Sequence, residues 1–207
     1  DANAGIQAEV HTFSKAFYDL YSDIIEYETN VSVASVDSKA GVVVTESGEE
    51  FRGDVVNIIA PQRALRFVRE SGLTGGGNWA GVDPLTYAST VSGFQTVHII
   101  GDSQGSNQPK SAHMANSQAK VCADAILRSL AELPTDTGER VDNVTTNSAC
   151  YSPITYDEAS WLTANYAFNV ETGVMEKVAG GEAERWSKDS YEEMFAWASN
   201  LFTDSFH

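Results

Sequence analysis

TVHIIGDSQGSNQPKSAHMANSQAK, residues 96–120, is the stretch that decides the reading of this chain. An apolar run ends in Gly101-Asp102, a small polar loop follows, and Pro109-Lys110-Ser111 leads into an Ala/Asn/Gln-rich helix start. The pattern predicts a buried strand over 96–102 that presents Asp102 at its end. Gly101 lets the backbone pass close to a ligand, since glycine has no side chain to block it. The helix after Ser111 offers N–H groups without intrahelical acceptors and a partial positive charge, which suit electron-rich oxygens of a ligand.

Composition limits the function classes. The chain has 207 residues, 42% hydrophobic and 10% aromatic, so it can bury a sizeable core in one large domain or two small ones. No run approaches the ~18 apolar residues of a membrane-spanning helix. The opening DANAGIQAEVHTF lacks the charged-then-apolar order of a signal peptide. A net charge of −16 argues against nucleic acid and anionic membrane partners, which it would repel. The same charge suits a solubilising surface, a salt-adapted host or docking to a basic partner. The cysteines, Cys122 and Cys150, allow one disulfide, but nothing in the sequence brings them together. His11, His98, His113 and His207 are scattered, without i, i+4 pairs or paired Cys-x-x-Cys spacing, so no metal site is expected.

Periodicity predicts a helix over 5–22, with Val10, Phe13, Phe17, Leu20 and Tyr21 inward. Short β-branched runs follow. IIEYET is a strand candidate, and VASVDSKAGVVVTESGEEFRG reads as a β-meander turning at Asp37-Ser38 and Ser47-Gly48. DVVNIIA, 54–60, reads as a strand buried on both faces. PQRALRFVRES reads as a helix with Ala64, Leu65 and Val68 on one face. GLTGGGNWAG, 72–81, is a loop. Its Gly-x-Gly is a poor dinucleotide fingerprint, because it follows a helix and opens none. Residues 116–133 form a helix with Val121, Ala125 and Leu130 buried, closed by Pro134 and Gly138. PTDTGER is a linker. Strands follow around 144–151 and 161–170, then GVMEKVA, then a last helix capped by Asp189-Ser190 with Tyr191, Met194, Phe195, Ala198 and Leu201 inward.

Several segments resemble, in order, the flavoprotein subunit of flavocytochrome c sulfide dehydrogenase. They are DVVNIIAPQRA (54–64), NWAGVDPLTYAST (78–90), VHIIGD with PKSAHMANSQAKV (97–121), NSACYS (147–152) and WASNLFTDSF (197–206). The resemblance runs over roughly residues 8 to 207. It implies an α/β fold, α+β in the last segment, that is part of a flavoprotein with two dinucleotide-binding domains. Residues 1–60 would belong to the second, NAD-like domain, 61–138 to the returning segment of the FAD-binding domain, and 139–207 to a C-terminal interface domain. The family's Gly-x-Gly-x-x-Gly segment, its flavin-tethering cysteine and one cysteine of its redox pair have no counterpart here. The chain is therefore expected to correspond to the second half of such a protein and to be inactive alone.

By the same resemblance, Gly101, Asp102, Pro109, Lys110 and Ser111 hold FAD. Asp102 would meet a ribityl hydroxyl, and Lys110 with Ser111 the edge of the ring where reduced flavin carries negative charge. Cys150 would be half of a disulfide over the flavin that sulfide attacks. Its partner is absent from this chain, so a free thiol is expected. Trp197 would wall the sulfide pocket. Cys122 reads as a small buried hydrophobe, and His113 as a packing or exposed residue. Trp79 and Tyr151 are weaker candidates. The implied activity is oxidation of sulfide through cysteine and FAD, with electrons passed to a c-type cytochrome subunit that carries the haem, in the periplasm. The alternatives are a sulfide:quinone-type enzyme or related pyridine nucleotide-disulfide oxidoreductase-like flavoprotein, and a docking fragment without activity. The acidic last segment disfavours membrane insertion.

Overall fold

Turn chemistry closes the first sheet. In the computed structural model, which describes residues 1–206, β1 (Val33–Asp37), β2 (Val42–Thr45) and β3 (Glu50–Arg52) form an antiparallel meander in that order. The Asp37 carboxylate accepts the N–H groups of Lys39 and Ala40 at 2.9 and 3.0 Å, which holds its carboxyl below the usual range. Gly41 turns at φ 64°, and a Cβ there would lie 2.7 Å from the Gly53 carbonyl oxygen. Thr45 Oγ1 receives the Glu49 N–H at 3.0 Å and closes the second turn. The meander agrees with the sequence reading.

Around it, three predicted strands give way to irregular backbone. IIEYET and DVVNIIA form no strand, and Val55 and Ile59 are 90% and 84% exposed. No strand among the described residues pairs with 54–60, so β-branched composition alone does not make a strand there. TVHIIGD also lacks a ladder. It makes the bonds Ser89 N–H to Val97 O and Ile99 N–H to Tyr87 O, with one bridge between Ala88 and His98. Ile99 is buried, Ile100 is exposed, and Gly101–Ser103 tightens into one 3-10 turn. The run has a partner along one edge only.

The helices are shorter or shifted. The first is α1 (Val10–Lys15), continued by a π-helical turn over Ala16–Leu20. It buries Thr12 and Ala16, whereas Val10 and Leu20 are exposed, so its core face is the polar-and-small one. α2 (Arg66–Glu70) buries Val68 but leaves Leu65 outside. The loop over 72–81 is as expected. Ala64, Val68, Leu73, Ala80 and Ile99 pack into one apolar cluster.

α3 (Ala112–Leu130) starts at Ser111, whose Oγ accepts the Met114 N–H at 3.1 Å. This N-cap starts the helix directly after Ser111, where the motif ends, and four residues ahead of the helical periodicity read over 116–133. Met114, Gln118, Cys122 and Ala125 form its buried face, and Leu130 is exposed. After α4 (Glu139–Asn143), β4 (Thr145–Pro153), β5 (Ala159–Asn169) and β6 (Val174–Glu182) make a second antiparallel sheet. Cys150 pairs with Leu162 across it. α3 packs on β4, and α5 (Lys188–Phe206) packs on β4 and β5. Ser187, not Asp189-Ser190, caps α5: its Oγ accepts the Ser190 N–H at 3.1 Å. Phe195 points out to solvent.

Candidate functional site

Strand β4 brings the chemistry together. With side chains alternating between faces, Thr146, Ser148, Cys150 and Ser152 share one face. Each of the four meets a polar group. Gln108 Nε2 donates to Thr146 Oγ1. The hydroxyls of Ser111 and Ser148 share a hydrogen bond at 2.8 Å. Ser152 donates to Glu9 Oε2 at 2.5 Å. Cys150 lies between, half-buried. Burial pushes its thiol up, the Glu9 charge pushes it further, and the Ser148 hydroxyl pulls it back. Cys122 is buried in α3, its thiol also raised by burial, and both cysteines are free.

The turn at 101–104 faces the same region. Gly101 has φ 70°, and its N–H donates to Gln118 Oε1 at 2.8 Å. Gln118 Nε2 and the Tyr87 hydroxyl both donate to Gln108 Oε1, at 3.0 and 2.9 Å. Gln108 then reaches Thr146, so a buried polar chain runs from Gly101 to β4. Burial pushes the Tyr87 phenol far above its ordinary value. Such a network fixes the turn relative to the strand only because its members satisfy one another. Gln108 and Tyr87 were not singled out by sequence. Their signal was a buried amide and phenol, which no local pattern marks.

Lys110 Nζ donates to the carbonyls of Asp102 and Gln104 at 3.0 and 2.6 Å and lies 4.0 Å from the centroid of the Trp79 ring. Burial holds its ammonium below the ordinary range, and the Asp102 charge partly restores it. Asp102 is exposed and Pro109 half-buried. Lys110 therefore clamps the turn as well as charging it.

His113, read from sequence as packing or exposed, sits at the junction. Its Nδ1 accepts the Ala149 N–H at 3.0 Å and the Trp197 Nε1–H at 3.3 Å. Trp197 also stacks its ring 5.5 Å from Tyr151. Burial holds the His113 imidazole below its ordinary value, and two N–H donors on Nδ1 require that nitrogen to be unprotonated. Trp197 thus reaches the residues on either side of Cys150, one through His113 and one through Tyr151.

An electron-rich planar cofactor fits this donor set. The Ala112 and His113 N–H groups lie in the first turn of α3 without intrahelical acceptors. The Gln104 Nε2 is buried without a partner. A groove of about 510 Å³, lined by Ile100, Ala112, Ala115, Asn116 and Phe202 among others, opens beside the turn. A Cβ on Gly101 would already touch Ala115 at 3.4 Å. Among the described residues no three His, Cys, Asp or Glu side chains gather as a metal site, and no helix is long and apolar enough to cross a membrane.

Residues 1–60 match the model for the central region of the sulfide dehydrogenase (flavocytochrome c) flavoprotein chain. That segment is similar to the central region of this family's flavoprotein chain. The match covers the helix and β-meander, and it agrees with the resemblance carried by the later motifs. The structure is similar to the sulfide:quinone oxidoreductase of Aquifex aeolicus, with a TM-score of 0.65 at 12% identity over 90% of this chain and 43% of that one. It is also similar to a ferredoxin reductase from Rhodopseudomonas palustris, with a TM-score of 0.51 at 16% identity over 87% of this chain and 47% of that one. At such identities the likeness concerns the fold: mixed α/β, part of a flavoprotein with two dinucleotide-binding domains. The chain spans less than half the length of either structure.

Proposed function

We propose that this chain supplies the flavin-ring end of an FAD site and one redox cysteine of a flavin-dependent sulfide dehydrogenase. The observation that carries this reading is the Ser111–Ser148 hydrogen bond. It joins the start of α3, where the cofactor motif ends, to the strand residue that contacts Cys150. In this reading Asp102 accepts a ribityl hydroxyl, and Gly101 and Pro109 shape the turn. Lys110 and the first turn of α3 hold negative charge at the ring edge. Bound FAD supplies the two-electron acceptor. Cys150 is the sulfur that meets sulfide, and Trp197 with Tyr151 and His113 excludes water from it. His113, neutral with Nδ1 as acceptor, positions the Ala149 backbone and the Trp197 ring.

The proposed domains are 1–60, 61–138 and 139–207, in the NAD-like, FAD-binding and interface roles. The electron acceptor we propose is a c-type cytochrome subunit, and the compartment is the periplasm. The acidic residues around 182–193 favour a basic protein face over an anionic membrane. Phe195, outward on α5, offers that partner an apolar contact. The test uses the flavoprotein containing this sequence. Cys150→Ser should keep flavin absorbance but abolish its anaerobic bleaching by sulfide. Bleaching at the parent rate overturns the assignment. Titrating the isolated chain with FAD should give no stoichiometric, tight complex. Charge reversal across 182–193 should slow cytochrome reduction and flatten its salt dependence.

A further inference from the structure

Glu9 is a carboxylate that nothing above requires. It lies in the loop entering α1, is 2% exposed, and holds a left-handed backbone at φ 50°. Its Oε2 takes the Ser152 hydroxyl, while Oε1 is buried with no partner. A buried carboxylate oxygen left unpaired is unfavourable. The loop is nevertheless held firmly in this position. Thr12 Oγ1 and Ser160 Oγ share a bond at 2.8 Å, Val10 N–H donates to Glu182, and the Tyr21 hydroxyl donates to the Ile154 carbonyl at 2.7 Å. These contacts press Glu9 against the face of β4 that carries Cys150.

The face of β4 under Glu9 has a distinctive charge pattern. It contains a thiol, the hydroxyls of Ser148 and Ser152, and a carboxylate with one free acceptor. Lys15, the cation on the same segment, donates to the Glu184 carbonyl and is exposed. A second anion entering here would face the Glu9 charge in a poorly solvated site, where repulsion is strong. A neutral species bearing an S–H group would instead pair with Oε1, since a thiol is a weak donor.

We propose that Glu9 determines which sulfur species reaches Cys150: its free Oε1 accepts a hydrogen bond from a neutral species bearing an S–H group, such as hydrogen sulfide or a small uncharged thiol, and excludes anionic sulfur species. The proposal rests on Cys150 as the reactive sulfur, and its test is independent of flavin. In the Cys122→Ala chain, Cys150 is alkylated with neutral iodoacetamide and anionic iodoacetate, each rate being normalised to free cysteine. The parent should prefer the neutral reagent, and Glu9→Gln should raise the relative iodoacetate rate on the order of tenfold. A remote control, Glu46→Gln, should leave the ratio unchanged. An unchanged ratio in Glu9→Gln, with folding verified by circular dichroism, overturns the proposal. Should Glu9→Gln not fold, the parent is measured in ~1 M salt, where long-range surface charge is screened and a buried charge is not. Preference retained supports Glu9, and preference lost overturns it. Failure of this test leaves the redox role of Cys150 to the bleaching experiment, and a parent-like Cys150→Ser flavoprotein leaves the alkylation ratio untouched.

Discussion

A single ring nitrogen holds much of the site. His113 Nδ1 accepts two N–H groups, one from β4 and one from α5, so protonating it removes both acceptor interactions at once. The folded-state imidazole lies below its ordinary value of 6.5, because burial disfavours the cation. The unfolded chain therefore binds the proton more readily. The stabilisation is fully present above the unfolded value and is lost as pH falls from about 6.5 through the lower folded value. Thermal unfolding followed from pH 8 to 5 should show this loss, and His113→Phe should flatten it; a parent-like pH slope in that variant contradicts the assignment. Ser111 acts differently. It caps α3 and bonds to Ser148, so Ser111→Ala should cost about 1–2 kcal/mol in urea unfolding. A change under ~0.5 kcal/mol would show that neither contact matters.

At the scale of elements, α3 is anchored at its far end by a buried guanidinium. Arg140, from α4, donates to Asp124 at 2.6 Å and to the carbonyls of Thr135 and Leu85 at 2.6 and 2.7 Å. The Arg140 hydrogen bond holds the Asp124 carboxyl below the usual range. Asp124 is half exposed, so water screens its share. Arg140→Ala should cost about 3 kcal/mol, because it orphans two carbonyls and leaves a void, and Asp124→Asn about 1 kcal/mol. Equal losses in chemical denaturation would mean that the ion pair, not the carbonyl bonds, dominates. The elements differ in how well sequence reveals them. The meander and β4–β6 were legible because their pairing partners lie next in sequence and Gly41, Gly48 and Gly173 mark the turns. The Ser111 cap is visible as a Ser after Pro-Lys ahead of an alanine-containing stretch, whereas the apolar periodicity of the same helix becomes readable only from 116 onward. The site was legible where a motif is local, at Gly101–Ser111. Its link to Cys150 was not, because it runs through Gln108, Gln118 and His113, whose roles depend on contacts 10 to 84 positions away.

For the whole molecule, the two buried strands that do not form share one cause. Both apolar runs taken as buried strands, 54–60 and 96–102, need neighbours on each edge, as a strand in a parallel sheet does. Among the described residues the first has none and the second has one edge partner. Neither run forms a strand, because an apolar, β-branched pattern does not by itself supply the partners a ladder needs. The consequence is an exposed apolar strip: Val55 and Ile59 face solvent, with Leu65 and Phe67 beyond them. Exposed β-branched segments with free backbone groups template pairing with other chains. The isolated chain should therefore self-associate in a concentration-dependent manner and bind a hydrophobic dye. Val55→Asp with Ile59→Lys should suppress both. Both side chains are outside the core, so the double variant should change monomer stability by no more than about 1 kcal/mol. Sedimentation velocity on parent and variant decides the matter. A parent that stays monomeric across the concentration series would mean the strip is covered in solution by a rearrangement of 54–67, and the same double substitution should then lower the unfolding midpoint instead.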